Sequence, residues 1–251
     1  MRLVLLTLAL GLTLGAAGAD IRLYTPAPAD NTGLAVVVCP GGSYAMVSMP
    51  NEGEPVGEFF ASHGITAAVV NYTLPAGDPS LPSRDVAEAM ALLRSRADSL
   101  GVDPSRIGIM GSSAGGHLAA TVSTAADTAA RPAFTILLYP VISSRGDLAH
   151  RWSFKMLLGE EASRSRRAEY SCELRVDSHT PPALMLLADD DPTVDPRNSV
   201  EYYLALKRYG IPASLHIYPR GKHGFGFTDS FDYLAGAQQL ILDWITHLYN
   251  E

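Results

Sequence analysis

The chain has 251 residues, 47% of them hydrophobic and 18% charged, with 19 basic against 26 acidic residues and a net charge of −7. That composition builds a sizeable core and excludes a disordered, collagen-like or low-complexity chain. The acidic balance argues against nucleic acid and anionic lipid as partners, and two cysteines are too few for a disulfide scaffold or a four-cysteine zinc site.

In chain order, residues 1–19 come first. Arg2, an apolar run from Leu3 to Leu14 and the small residues Ala17-Gly18-Ala19 before Asp20 form the pattern of a secretory signal. The run is shorter than the roughly 20 residues of a membrane span. The expectation is therefore cleavage after Ala19, a single domain over 20–251, and an exported protein, periplasmic or secreted, without membrane insertion. Loss of Arg2 takes the net charge to −8.

The mature chain alternates two kinds of segment. Strand-like runs lie at 21–24, 34–39, 65–71, 106–111, 134–140, 183–188 and 214–218. Several are continuously apolar, as suits strands covered on both faces of a parallel sheet. Helical periodicity covers 83–99, with Val86, Met90, Leu93 and Ala97 on one face and Ser83 as its expected cap, and recurs at 198–209 and 231–249. The stretch 143–181, with Arg164, Arg166 and Arg167, is the least regular and is expected to be a solvated surface insertion near the mouth of a site. The alternation predicts an α/β fold with a mostly parallel central sheet, helices on both faces, and a small lid or none. Cys39 and Cys172 are expected as separate buried thiols, with a disulfide between them the open alternative.

Residues 111–115, Gly-Ser-Ser-Ala-Gly, fit G-x-S-x-G between a predicted strand and a predicted helix. That setting puts Ser113 on a sharp turn and aims a helix N-terminus at charge developing on a substrate carbonyl. A nucleophilic serine needs a base and an orienting acid, in the chain order serine, acid, histidine. Asp189, Asp190 and Asp191 directly follow the strand at 183–188, and each is a candidate acid; the ordinary role of such residues is to cap a turn or load the next helix N-terminus. Among seven histidines, His223 alone follows the last strand in a glycine-rich loop before the final helix. An oxyanion hole needs two preorganised donors. Ala114 supplies one amide, and the Pro40-Gly41-Gly42-Ser43-Tyr44 loop after the strand at 34–39 supplies the other from Gly42, with Gly41 and then Ser43 as further candidates. Tyr44, Phe225 and Phe227 are candidate ring contacts for a sugar, with core packing the competing role. No metal or organic cofactor is expected, since three consecutive acids cannot all face one ion in a short loop.

With these residues in place, the chain resembles the α/β-hydrolase superfamily of esterases and lipases, and within it the acetyl xylan esterase-like carbohydrate acetylesterases. The marks are PGGSY, MPNEGEPVGEFFASHGITAAVVNYTLP, DPSRIGIMGSSAGGHLAA and the segment from TPPALMLLADDDPTVDP to YPRGKHGFG. The resemblance implies a serine esterase whose triad falls on Ser113, Asp191 and His223. Asp191 is chosen because it stands three residues before Val194, a D-x-x-V register common in these hydrolases. It implies an acetylated polysaccharide such as xylan, or a small ester, as substrate. A general short-chain carboxylesterase, an exported serine peptidase of this fold and a non-catalytic glycan-binding protein are the competing readings. Oligomeric state, sugar and acyl length are not encoded in these patterns.

Overall fold

The computed structural model describes residues 19–125 and 131–249, so the leader expected over 1–19 lies outside it except for Ala19. Seven strands form one sheet: β1 (Asp20–Tyr24), β2 (Ala35–Cys39), β3 (Thr66–Asn71), β4 (Ile107–Ser112), β5 (Thr135–Leu138), β6 (Ala183–Ala188) and β7 (Ala213–Tyr218). Their order is β1-β3-β2-β4-β5-β6-β7. β1 pairs antiparallel with β3, and every other pairing is parallel.

The helices are α1 (Glu54–Ser62), α2 (Ser80–Ser95), α3 (Ala97–Leu100), α4 (Ser113–Ser123), α5 (Arg151–Leu158), α6 (Arg164–Ala168), α7 (Arg197–Arg208) and α8 (Leu234–His247). Alternate strand residues divide between two cores. Val37, Ala68, Ile109, Leu137 and Met185 pack with residues of α2, α4 and α7. Val36, Ala67, Met110, Ile136 and Leu184 pack with residues of α1 and α8. Both faces are covered, which is why the central strands read as unbroken apolar runs.

The order reverses at β2, whose neighbours are β3 on one side and β4 on the other. Such a switch point opens a crevice at the carboxyl ends of the strands, where ligands of open α/β sheets bind. Cys39, the last residue of β2, is in register with Gly111 of β4. The loop carrying Gly41 and Gly42 therefore leaves the sheet beside the turn carrying Ser113.

Several local features differ from the sequence expectation. α2 starts at Ser80, not Ser83, because Asp78 accepts hydrogen bonds from the Ser80 amide and hydroxyl at 3.0 and 2.7 Å. Pro82 is accommodated in the first turn, where a missing N–H costs nothing. The helix also breaks at Arg96, before α3. α1 went unpredicted, and 143–181 contains α5 and α6 rather than irregular chain. Buried Asn198 fastens this insertion. Its Oδ1 accepts the amides of Ile142 and Ser143 at 3.0 and 2.9 Å, and its Nδ2 donates to the Leu148 carbonyl at 2.9 Å. Cys39 and Cys172 are both buried free thiols.

Candidate active site

At the end of β4 the backbone turns sharply at Ser113, whose φ of +53° lies in the left-handed region. A non-glycine residue there is strained, and the surroundings must hold it. The Ser113 carbonyl accepts the Val141 amide at 3.0 Å. Gly115, in the first turn of α4, lets the helix press against the end of β2; a Cβ there would lie 2.0 Å from the Cys39 carbonyl oxygen.

The structure brings Ser113, His223 and Asp191 together. The Ser113 hydroxyl donates to His223 Nε2 at 2.8 Å, and His223 Nδ1–H donates to Asp191 Oδ2 at 2.7 Å. Asp191 Oδ1 accepts the amides of Thr193 and Val194 at 2.8 and 3.0 Å, so the acid is fixed at both oxygens. The Asp191 side chain is 1% exposed and that of His223 17%, which leaves the imidazole reachable over a dry carboxylate. A neutral imidazole bonded in this way accepts the serine proton at Nε2, and the carboxylate stabilises the resulting cation.

The neighbouring aspartates do other work. Asp190 Oδ1 accepts the amides of Gly221 and Lys222, both at 2.8 Å, and so shapes the loop just ahead of His223. Asp189 is exposed and joins the sheet end through its own amide, which donates to the Tyr218 carbonyl at 2.8 Å. Neither caps α7, where Asp195 accepts the Arg197 amide at 2.9 Å instead. His117 is buried on α4. Its Nε2 meets the Tyr170 carbonyl at 2.7 Å and its Nδ1 the Tyr44 hydroxyl at 2.8 Å. A carbonyl only accepts, so Nε2 carries the proton and Tyr44 donates to Nδ1. Burial lowers the pKa of His117 to about 4 and keeps it neutral.

The loop after β2 corrects one expected oxyanion donor. The Gly41 amide donates to Glu52 Oε2 at 2.7 Å and is not available to a substrate. Gly42 has φ +127°, and its carbonyl accepts the amides of Ala45 and Met46 at 3.0 and 3.1 Å. The amides of Gly42 and Ser43 have no acceptor among the described residues, and that of Ala114, in the first turn of α4, has no intrahelical one. These amides are the donors left for an oxyanion.

Glu52 was not foreseen. It is 4% exposed in the turn Met49–Gly53, and its second oxygen accepts the Tyr139 hydroxyl at 2.6 Å. The same hydroxyl oxygen accepts the Gly226 amide at 2.9 Å, and the Tyr139 ring centroid lies 4.9 Å from that of His223. Burial pushes the Glu52 carboxyl up, while the bonds from Tyr139 and Gly41 and the charge of His223 oppose the shift. One buried carboxyl thus ties the loop after β2 to the loop carrying His223. A lone glutamate in a Pro/Gly-rich turn offers no periodic signal; its one mark in the sequence is that it lies within a segment the resemblance covers.

Tyr44 and Phe225, expected as substrate contacts, are instead packing residues. Tyr44 is 2% exposed and spends its hydroxyl on His117. Phe225 stacks on Phe231 at 4.0 Å and meets Tyr139 edge-on, and Phe227 packs edge-on against Phe59. Phe225 thereby anchors the loop that follows His223 on Tyr139 and Phe231. Among the described residues, no three His, Cys, Asp or Glu side chains are placed to hold a metal ion.

Residues 36–227 match the family model described as the alpha/beta hydrolase fold. The acetylxylan esterase of Xylanibacter ruminicola is 40% identical over 222 residues, which take in 87% of this chain and 46% of that protein. Endo-1,4-beta-xylanase B of Butyrivibrio fibrisolvens is 31% identical over 75% of this chain and 32% of its own length. The chain thus spans about half the length of the first relative and a third of the second. Among solved structures, the acetyl ester-xyloside bifunctional hydrolase from Caldicellulosiruptor lactoaceticus is 34% identical, with a TM-score of 0.84 over 92% of this chain and 88% of that one.

Proposed function

The chain belongs to the α/β hydrolase fold family, and from that premise we propose that it is a serine esterase that removes acetyl groups from a plant polysaccharide such as acetylated xylan. The observation that carries the reading is the hydrogen-bonded run from Ser113 through His223 to Asp191, set at the carboxyl end of the sheet beside unpaired amides. The named activities of the xylan-related relatives support the choice of substrate.

The chemistry is a two-step acyl transfer. Ser113 Oγ bonds to the ester carbonyl carbon as its proton passes to His223 Nε2, and the amides of Ala114 and Gly42 receive the oxyanion. The ester C–O bond then breaks, His223 protonates the departing sugar hydroxyl, and the acetyl group stays on Ser113. Water, deprotonated by His223, attacks the acyl-enzyme; acetate leaves and Ser113 regains its proton. Water is the only co-substrate the balance requires. We extend the proposal to export: the pattern of residues 1–19 supports cleavage after Ala19 and action outside the cytoplasm, where the polymer lies, and N-terminal sequencing of the secreted or periplasmic protein checks it.

The decisive assay measures hydrolysis of acetyl, butyryl and octanoyl esters of 4-nitrophenol and acetate release from acetylated xylan, for the wild type and Ser113→Ala. The expected result is a preference for acetyl, acetate release from xylan, and a loss on the order of 10⁴-fold in the variant. A preference for octanoyl with no acetate from xylan would instead indicate a lipid esterase.

A further inference from the structure

Residues 144–168 line a cavity of about 680 Å³ whose lining is unusual for an acidic protein: Arg145, Arg151, Lys155, Arg164 and Arg167 surround it, with Glu160 as the one carboxylate. All come from the insertion between β5 and β6. Ion pairs account for two of the five cations. Lys155 pairs with Glu160 at 2.8 Å, and Arg145 with Glu173 and Glu201 at 3.1 and 3.4 Å. Among the described residues, the guanidinium groups of Arg151, Arg164 and Arg167 have no carboxylate partner. A solvated charged face scatters such groups outward; here α5 and α6 bring them round one concavity.

The cavity is linked to the triad's acid through one lining residue. Ala149 and Arg151 line it, and His150 between them has its pKa lowered first by burial and then by the charge of His223. Ala149 also lines a second, shallower hollow together with Asp191. Trp152, next to Arg151 on α5, is 49% exposed, with Lys155 Nζ 5.6 Å from its ring centroid. Trp152 does not itself line the cavity, but an exposed indole next to a lining residue offers a flat apolar face to a sugar ring.

We propose that this cavity binds an oxyanion, a carboxylate or a sulfate, carried on a sugar of the polysaccharide close to the acetylated one. Arginine forks suit such a group, because each offers two parallel N–H donors. The inference rests on the esterase reading above and narrows its substrate class. The whole molecule is acidic and repels polyanions at long range; the cavity selects an anionic substituent on a mostly neutral chain.

The test replaces the three unpaired cations together, Arg151→Gln, Arg164→Gln and Arg167→Gln. Arg151 and Arg164 are exposed, Arg167 is half-buried, and none has an ion-pair partner among the described residues, so the fold tolerates the changes. 4-Nitrophenyl acetate turnover by both proteins comes first and is expected to be equal. kcat/KM is then measured at low salt on acetylated xylo-oligosaccharides that are neutral, uronic-acid-bearing or sulfated. The wild type is expected to prefer one of the anionic forms about tenfold or more, through KM, and the triple variant to lose that preference while keeping its rate on the neutral form. Salt at 0.5 M is expected to erode the wild-type preference. An equal rate on all three forms by the wild type, or a preference that survives in the triple variant, overturns the proposal while leaving the esterase reading standing. If the wild type hydrolyses no acetyl ester, the esterase reading fails on its own. Calorimetric titration with the uronic-acid-bearing and sulfated oligosaccharides then decides the cavity separately: binding lost in the triple variant supports it, and no binding overturns it.

Discussion

At Asp191 both carboxylate oxygens are committed, Oδ2 to His223 and Oδ1 to two amides, whereas Asp190 uses a single oxygen for the amides of Gly221 and Lys222. The two should respond differently to the same change. In Asp191→Asn, a carboxamide N–H set against His223 Nδ1 forces the proton to Nε2, where it blocks the acceptance of the serine proton; kcat is expected to fall by about 10³- to 10⁴-fold. Asp190→Asn keeps an oxygen for the loop amides and is expected to lose less than about tenfold. Steady-state rates on 4-nitrophenyl acetate compare them, and equal losses would reassign the acid. Glu52 is a positioning residue by the same reasoning. It receives donors at both oxygens, from Gly41 and Tyr139, and Glu52→Gln offers an acceptor to only one of them. The expected outcome is a kcat reduced about tenfold or more with KM little changed, because the oxyanion loop and the His223 loop lose their common tether. A kcat equal to the wild type's would leave Glu52 with no part in positioning.

The junction of α4 with β2 is held by contact between backbones. α4 meets the end of β2 across Gly115, where a Cβ would stand 2.0 Å from one backbone oxygen and 2.4 Å from the next, those of Cys39 and Pro40. Neither oxygen is at the end of a flexible group, so the methyl of Gly115→Ala has nowhere to go without parting α4 from β2. Urea denaturation is expected to show a loss of about 3 kcal/mol or more, with esterase activity falling further because the strained turn at Ser113 shifts with the helix. An alanine variant as stable as the wild type would show that the junction is looser than described. On the opposite side, the insertion carrying α5 and α6 is fixed to α7 by Asn198, which makes it a stable wall for the basic cavity.

Across the molecule, the clearest pH dependence comes from His117, buried against Tyr44 and Phe154. Its pKa is about 4 in the fold, against 6.5 for an ordinary histidine. Between those values the unfolded chain binds a proton that the native protein does not. The contribution is therefore whole above about pH 6.5 and is lost as pH falls towards 4, amounting to up to about 3 kcal/mol. Urea denaturation at pH 7 and pH 4.5 is expected to show a smaller acid-induced loss for His117→Gln than for the wild type; other titrating groups are common to both and cancel. Equal losses would mean that His117 is protonated in the native state.

The positions of the seven strands along the chain were legible in the sequence, for the central ones because a strand covered on both faces needs an unbroken apolar run, and that requirement is local; their order across the sheet and the antiparallel pairing of β1 were not. Ser113, Asp191 and His223 were legible as candidates because each follows a strand in a loop of particular composition. The binding of Asp190 to the loop ahead of His223, the diversion of the Gly41 amide to Glu52, the burial of Tyr44 and Phe225, and the gathering round one cavity of three arginines unpaired among the described residues came only from the tertiary structure. Each depends on residues far apart in the chain, such as Glu52 and Tyr139, whose meeting is set by strand order and helix packing. Hydrophobic periodicity records which face of an element is buried, but not which loop a polar group at its end will find.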